Sequence, residues 1–209
     1  ELGIALLFPD TSPRGAGIEG EDADWDFGTG AGFYLDATAE PWARHYRMWS
    51  YITEDLPALA ASGQLPIRAD AMGVTGHSMG GHGALVCALR RPDLFRSCSA
   101  FAPIVAPASV PWGEKAFGNY LGPDRATWAE YDACALLESG RRAPPILVDQ
   151  GEADQFLLEQ LRPGLLTEAA HRAGQDLTLR LHPGHDHSYW FIQSFVEDHL
   201  RHHARALLG

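Results

Sequence analysis

The chain has 209 residues, 45% hydrophobic and 21% charged, a balance that suits a folded globular protein and excludes a disordered or low-complexity one. Its formal charge of −11 sets the field of the whole molecule against nucleic acid and anionic membrane surfaces, and no apolar run reaches transmembrane length. Cys87, Cys98 and Cys134 lack C-x-x-C spacing and cannot all pair, so neither a disulfide framework nor a structural zinc site is expected; a reducing cytoplasm is the simplest location.

Gly3-Ile4-Ala5-Leu6-Leu7-Phe8-Pro9-Asp10 reads as a buried strand stopped by proline. The chain opens without an initiator Met, and proteins rarely begin inside their core. From Thr11 to about Pro41, six glycines alternate with Trp25, Phe27, Phe33 and Tyr34, the pattern of a long functional loop packed over a site. Gly28-x-Gly30-x-Gly32 lacks dinucleotide spacing and follows no strand. Met48, Trp49, Ile52, Leu56 and Leu59 recur at helical intervals and predict an amphipathic helix over His45–Leu59. A strand at Ala71–Thr75 and a helix after Ser78, stopped near Pro92, come next. Ser97–Pro103 reads as a strand, 104–140 as irregular, and Pro145–Gly151 as another buried strand. A helix around Leu157–Ala173 holds an awkward Pro163. Leu177–Gly184 alternates with period two as the last strand, and Tyr189–Leu207 closes the chain as a helix. Alternating strands and helices predict one α/β domain over 1–209, a mostly parallel sheet with helices on both faces.

The chemistry centres on Gly76-His77-Ser78-Met79-Gly80, a Gly-x-Ser-x-Gly between the strand and the helix. Such a turn strains the central serine and leaves its hydroxyl at a helix N-terminus, where free N–H groups favour negative charge; Gly76 and Gly80 are expected to make room for it. A serine needs a base, and the base needs an orienting acid, each on a loop leaving the carboxyl end of a later strand in the order acid, then His. That leaves Glu152 or Asp154 as the acid and His185 or His187 as the base. Asp149 lies within its strand and reads as structural. His182 belongs to the last strand. The Met79 N–H is placed to meet an oxyanion. His199, His202 and His203 read as a polar face of the last helix rather than a metal site, and no metal or cofactor is expected.

The stretches Asp10–Gly15, Ile18–Asp22, Trp25–Tyr34, Gly76–Leu85, Phe101–Ile104, Pro111–Gly113 with Lys115–Phe117, Asp149–Gly151, Asp154–Leu157 and Asp186–Tyr189 together closely resemble the S-formylglutathione hydrolase (esterase D) family. The resemblance runs from Asp10 to the C-terminus. It implies an α/β-hydrolase fold and a cytoplasmic serine thioesterase that releases formate and glutathione from S-formylglutathione in formaldehyde detoxification, with small carboxylic esters also cleaved. By motif it selects Ser78 as nucleophile, Asp154 as acid and His187 as base. Trp112 and Phe156 are expected to line the substrate site. A homodimer follows from the resemblance alone.

The family's chain is longer at its N-terminus, where it carries further strands, the loop with the second oxyanion N–H and a cysteine near the site. Without the intervening strand, the first strand and the one before Ser78 would leave unpaired backbone in mid-sheet, so this sequence is expected to be part of a longer polypeptide. Two other readings share the residues. One is a carbohydrate or aryl esterase on the same scaffold, separated by comparing acetylated sugars and aryl acetates with the thioester. The other is a non-catalytic binding protein, which a fluorophosphonate would leave unlabelled.

Overall fold

The computed structural model describes residues 2–209. Four strands, β1 (Met72–His77), β2 (Phe95–Phe101), β3 (Ile146–Gly151) and β4 (Leu177–His182), form a parallel sheet in that spatial order. The main helices are α1 (48–61), α2 (Met79–Arg90), α3 (Pro111–Tyr120), α4 (Ala133–Glu138), α5 (Pro163–Ala173) and α6 (Tyr189–Leu208).

Side-chain alternation along β2 assigns the two faces. Cys98 and Ala100 point to the face covered by α2, α4 and α5, where Leu85, Leu89, Leu136, Leu137, Val148 and Leu166 build an apolar core. Ser97, Ser99 and Phe101 point the other way, to α6: His203 bonds both serines and His199 stacks on Phe101 at 3.7 Å. Helices therefore cover both faces, as expected for parallel strands. The histidine-rich face of α6 differs from the polar surface expected of it. His199 and His203 are buried and turned toward the sheet, and no metal-binding cluster occurs among the described residues.

The predicted strand over residues 3–10 does not form. These residues make no ladder, and Leu6 and Phe8 are exposed. The cause is the absence of a neighbour: β1 is an edge strand, no described strand lies beside it, and backbone without a partner for its N–H and C=O groups gains nothing from a strand conformation.

Three helical expectations also change, and a proline has a part in each. The helix expected from His45 begins at Met48 and widens into a π-type turn over Tyr51–Asp55. Pro57 has no N–H for the Thr53 carbonyl, which accepts instead from Arg91 Nη1 at 3.4 Å. The region read as irregular, 104–140, contains α3, which Pro111 starts from the first turn where a missing N–H costs nothing, and α4, which Asp132 caps by accepting from Ala135 N–H at 3.0 Å. Pro163 likewise starts α5. It divides the single helix expected over Leu157–Ala173 into a π-type turn, Leu157–Leu161, and α5, with Arg162 left-handed between them (φ 48°).

The long glycine- and aromatic-rich segment carries no regular strand, yet Phe27, Phe33 and Leu35 are buried in a second core with Tyr46, Phe117 and Tyr120. It packs directly behind α2: a β-carbon on Gly83 would come within 2.4 Å of the Tyr34 ring.

Candidate active site

Ser78 joins β1 to α2 with φ 58° and ψ −117°, a left-handed conformation that costs a residue with a β-carbon roughly 1–3 kcal/mol. The surrounding backbone holds it there. Ser78 N–H donates to the Phe101 carbonyl at 2.9 Å, and the Ser78 carbonyl accepts from His82 N–H at 2.9 Å and Ile104 N–H at 3.4 Å. Gly76 is needed because its β-carbon would lie 2.1 Å from the Gly80 carbonyl oxygen. Gly80 itself departs from expectation: a β-carbon there meets only the Tyr34 hydroxyl, at 3.7 Å. The tight contacts fall instead on Gly81, against Pro103, and Gly83, against Tyr34. Met79 is the first helical residue, so its amide is one of the free N–H groups at the helix start.

The acid and base loops leave β3 and β4 side by side. Glu152 N–H donates to the His182 carbonyl at 3.0 Å, and Ala153 N–H donates to the His185 carbonyl at 2.9 Å. Gly151 permits this approach, since a β-carbon there would sit 2.3 Å from the His185 carbonyl oxygen. The result is a short contact between His187 Nδ1 and Asp154 Oδ2, 2.6 Å. The Asp154 side chain is fully buried. Its Oδ1 accepts from Phe156 N–H at 2.8 Å, and Gln150 Nε2 donates to its Oδ2 at 3.2 Å. A carboxylate so satisfied orients an imidazole through Nδ1 and leaves Nε2 for chemistry. Glu152 is exposed and His185 packs against Phe191 and Phe195, so neither takes part in this pair.

His187 packs against the residue before the serine. The His77 ring lies 4.4 Å from the His187 ring, between centroids. Burial, with the neighbouring His187, pulls the His77 imidazole down to about 4, so it is neutral near pH 7. The Ser78 hydroxyl makes no hydrogen bond among the described residues, so the serine and the Asp154–His187 pair do not form a closed relay here; catalytic hydrogen bonds commonly tighten only with substrate bound. Phe156 meets His187 edge-on at 5.1 Å, and Trp112 packs on Phe156 at 4.6 Å. A cleft of about 370 Å³ lies away from these residues, against β3, β4 and α6, and is lined by Thr178, Arg180, Arg201 and Arg205. Two of its arginines are engaged with carboxylates, Arg180 with Asp149 and Asp198, Arg201 with Glu197.

Two participants escape a reading of the sequence alone. His77 looks like filler inside the serine motif, and Trp25 like one aromatic of many in a loop; both acquire meaning only from contacts across more than 80 residues of chain.

A parallel sheet crossed by a strained serine elbow, with an acid and a histidine on its last two carboxyl-end loops, defines an α/β-hydrolase of the esterase class. A family model for esterases matches residues 1–202. The S-formylglutathione hydrolase of Rattus norvegicus is 51% identical over 209 residues, 99% of this chain and 74% of that protein. The solved structure of an S-formylglutathione hydrolase from Agrobacterium tumefaciens superposes with a TM-score of 0.92 at 55% identity, covering 95% of this chain and 72% of that one. A ferulic acid esterase, at 22% identity and a TM-score of 0.58 over 83% of this chain and 64% of its own, shares the fold alone. The chain belongs to the S-formylglutathione hydrolase family.

Proposed function

We propose that this chain hydrolyses S-formylglutathione to formate and glutathione through an acyl-serine, and small carboxylic esters by the same route. The 2.6 Å contact between His187 Nδ1 and Asp154 Oδ2 carries the reading, because it fixes the tautomer in which Nε2 can take a proton. Ser78 Oγ attacks the thioester carbon as His187 accepts its proton and Asp154 supports the imidazolium. The tetrahedral oxyanion is met by the Met79 N–H at the head of α2. The C–S bond breaks, glutathione leaves with the proton from His187, and water activated by His187 then releases formate and restores Ser78. Trp112 and Phe156 line the site beside His187, and no metal or cofactor is required by these steps.

Three free cysteines suit a reducing compartment, and no described helix is long and apolar enough to cross a membrane; a cytoplasmic location is proposed with the activity. The homodimer remains a proposal for sedimentation to decide.

The test is turnover of S-formylglutathione by the wild type, Ser78→Ala and His187→Ala. Each substitution is expected to lower kcat at least a thousandfold while leaving the folded circular dichroism spectrum. Equal rates in the wild type and Ser78→Ala would remove the mechanism.

A further inference from the structure

Trp25 is 75% exposed, yet it is held from both sides. Lys115 Nζ donates to Asp24 Oδ2 at 2.8 Å and to Asp26 Oδ1 at 2.5 Å, so one cation on α3 clamps both residues flanking the indole. Lys115 lies three residues beyond Trp112 on the same helix. The Trp25 ring stands at 90° to the Trp112 ring with centroids 5.4 Å apart. Trp112 is fixed at its root by its own N–H, which donates to Gln160 Oε1 at 3.1 Å. With Phe156 between Trp112 and His187, the four rings form one continuous wall running outward from the imidazole. An indole left in water while its loop is bolted down is apolar surface already organised for a ligand.

We propose that Trp25 is the outer face of a subsite for the thiol half of the substrate, where its ring stacks on an amide plane of a peptidyl thiol such as glutathione. The inference rests on the proposed function and follows from which half of the substrate can reach that far. The formyl group is a single carbon held at Ser78 and cannot extend along three successive rings. The leaving thiol takes its proton from His187, so it departs on the side where the wall begins. The sulfur sits on the middle residue of glutathione, but the γ-linkage adds the glutamyl side-chain carbons to one arm, so that arm reaches roughly 10 Å when extended, from the imidazole toward the indoles.

Binding of S-methylglutathione, measured by calorimetry, tests the subsite without turnover. Trp25→Ala is expected to weaken Kd about tenfold, and Lys115→Met, which keeps the indole but frees its loop, about threefold. The ratio of kcat/KM for S-formylglutathione to that for S-formyl-N-acetylcysteamine should fall about tenfold in Trp25→Ala. An unchanged Kd, or a wild type that does not bind S-methylglutathione, overturns the proposal. So does a changed preference between formyl and butyryl thioesters of one thiol, which would put Trp25 on the acyl side. If binding depends on Trp25 while the wild type hydrolyses no thioester, the subsite is upheld and the proposed reaction is the part that fails.

Discussion

Ser78 is held in a conformation that its own β-carbon resists, so the residue at the centre of the site is also a local cost to the fold. Removing the hydroxyl and removing the strain can be separated. Ser78→Ala loses the hydroxyl but keeps the β-carbon, whereas Ser78→Gly loses both. Glycine gives back part of the gain through the greater freedom of its unfolded chain, and the balance leaves Ser78→Gly more stable than Ser78→Ala by about 1 kcal/mol. Urea unfolding of the two variants measures this, and equal midpoints would mean that the elbow stores no strain. Ser78 was legible in the sequence because the elbow is written in five consecutive residues. Asp154 and His187 were legible only as positions: Glu152 and Asp154, like His185 and His187, share a loop two residues apart, and spacing cannot say which of each pair turns inward. The deciding feature is the approach of the two loops at Gly151, a contact between residues more than thirty apart.

Among the elements, α6 owes its place to a charge buried beneath the sheet. Asp149 on β3 is fully buried; Arg180 on β4 donates to its two carboxylate oxygens at 2.6 and 2.5 Å, and His199 Nε2 on α6 lies 3.1 Å from Oδ2. Burial alone would raise the Asp149 carboxyl, but the hydrogen bonds from Arg180 and His199 outweigh it and hold the group well below the usual carboxylate range. Asp149→Asn keeps the shape and removes the charge, leaving a guanidinium that is one-third exposed without its main partner. Allowing for that exposure, the loss is roughly 2–3 kcal/mol. Because the native carboxyl is depressed, this stabilisation is complete above the unfolded value near 4 and drains away as pH falls below it. Wild type and Asp149→Asn should therefore differ by a constant amount above about pH 5 and by progressively less on acidification toward the depressed native value; a gap that does not narrow at all between about pH 5 and 3 would show that packing, not charge, holds α6. Strands such as β3 were legible because a short apolar run between breakers has few other readings. Residues 3–10 have the same composition and form none, since a strand is completed by its neighbour. Pro111 and Pro163 misled in the opposite direction: proline ends a helix from inside but begins one from its first turn.

For the molecule as a whole, three imidazoles largely shut off from water set the response to acid. His82 lies in α2 behind the elbow and donates through Nε2 to the Phe33 carbonyl at 3.0 Å. His77 sits against His187, and His203 bridges Ser97 and Ser99. Burial lowers His82 and His77 to about 4 and His203 to about 3. The unfolded chain takes up these protons near pH 6.5 and the native chain only well below, so the stability they permit is intact above that point and falls steadily from pH 6.5 toward 4. This loss begins more than two pH units before Asp149 starts to protonate, and it makes histidine, not carboxylate, the first cause of acid lability. A competing effect has the opposite sign: the chain carries a charge of −11 near neutrality, and acidification relieves its self-repulsion. His82→Gln separates the two, because the glutamine amide can still donate to Phe33 but does not titrate, while the relief of net charge is common to both proteins. Between pH 7.5 and 5 the wild type should lose on the order of 2 kcal/mol more than the variant in guanidinium unfolding. Parallel stability curves would assign the acid response to the general charge balance instead of to the buried imidazole behind Ser78.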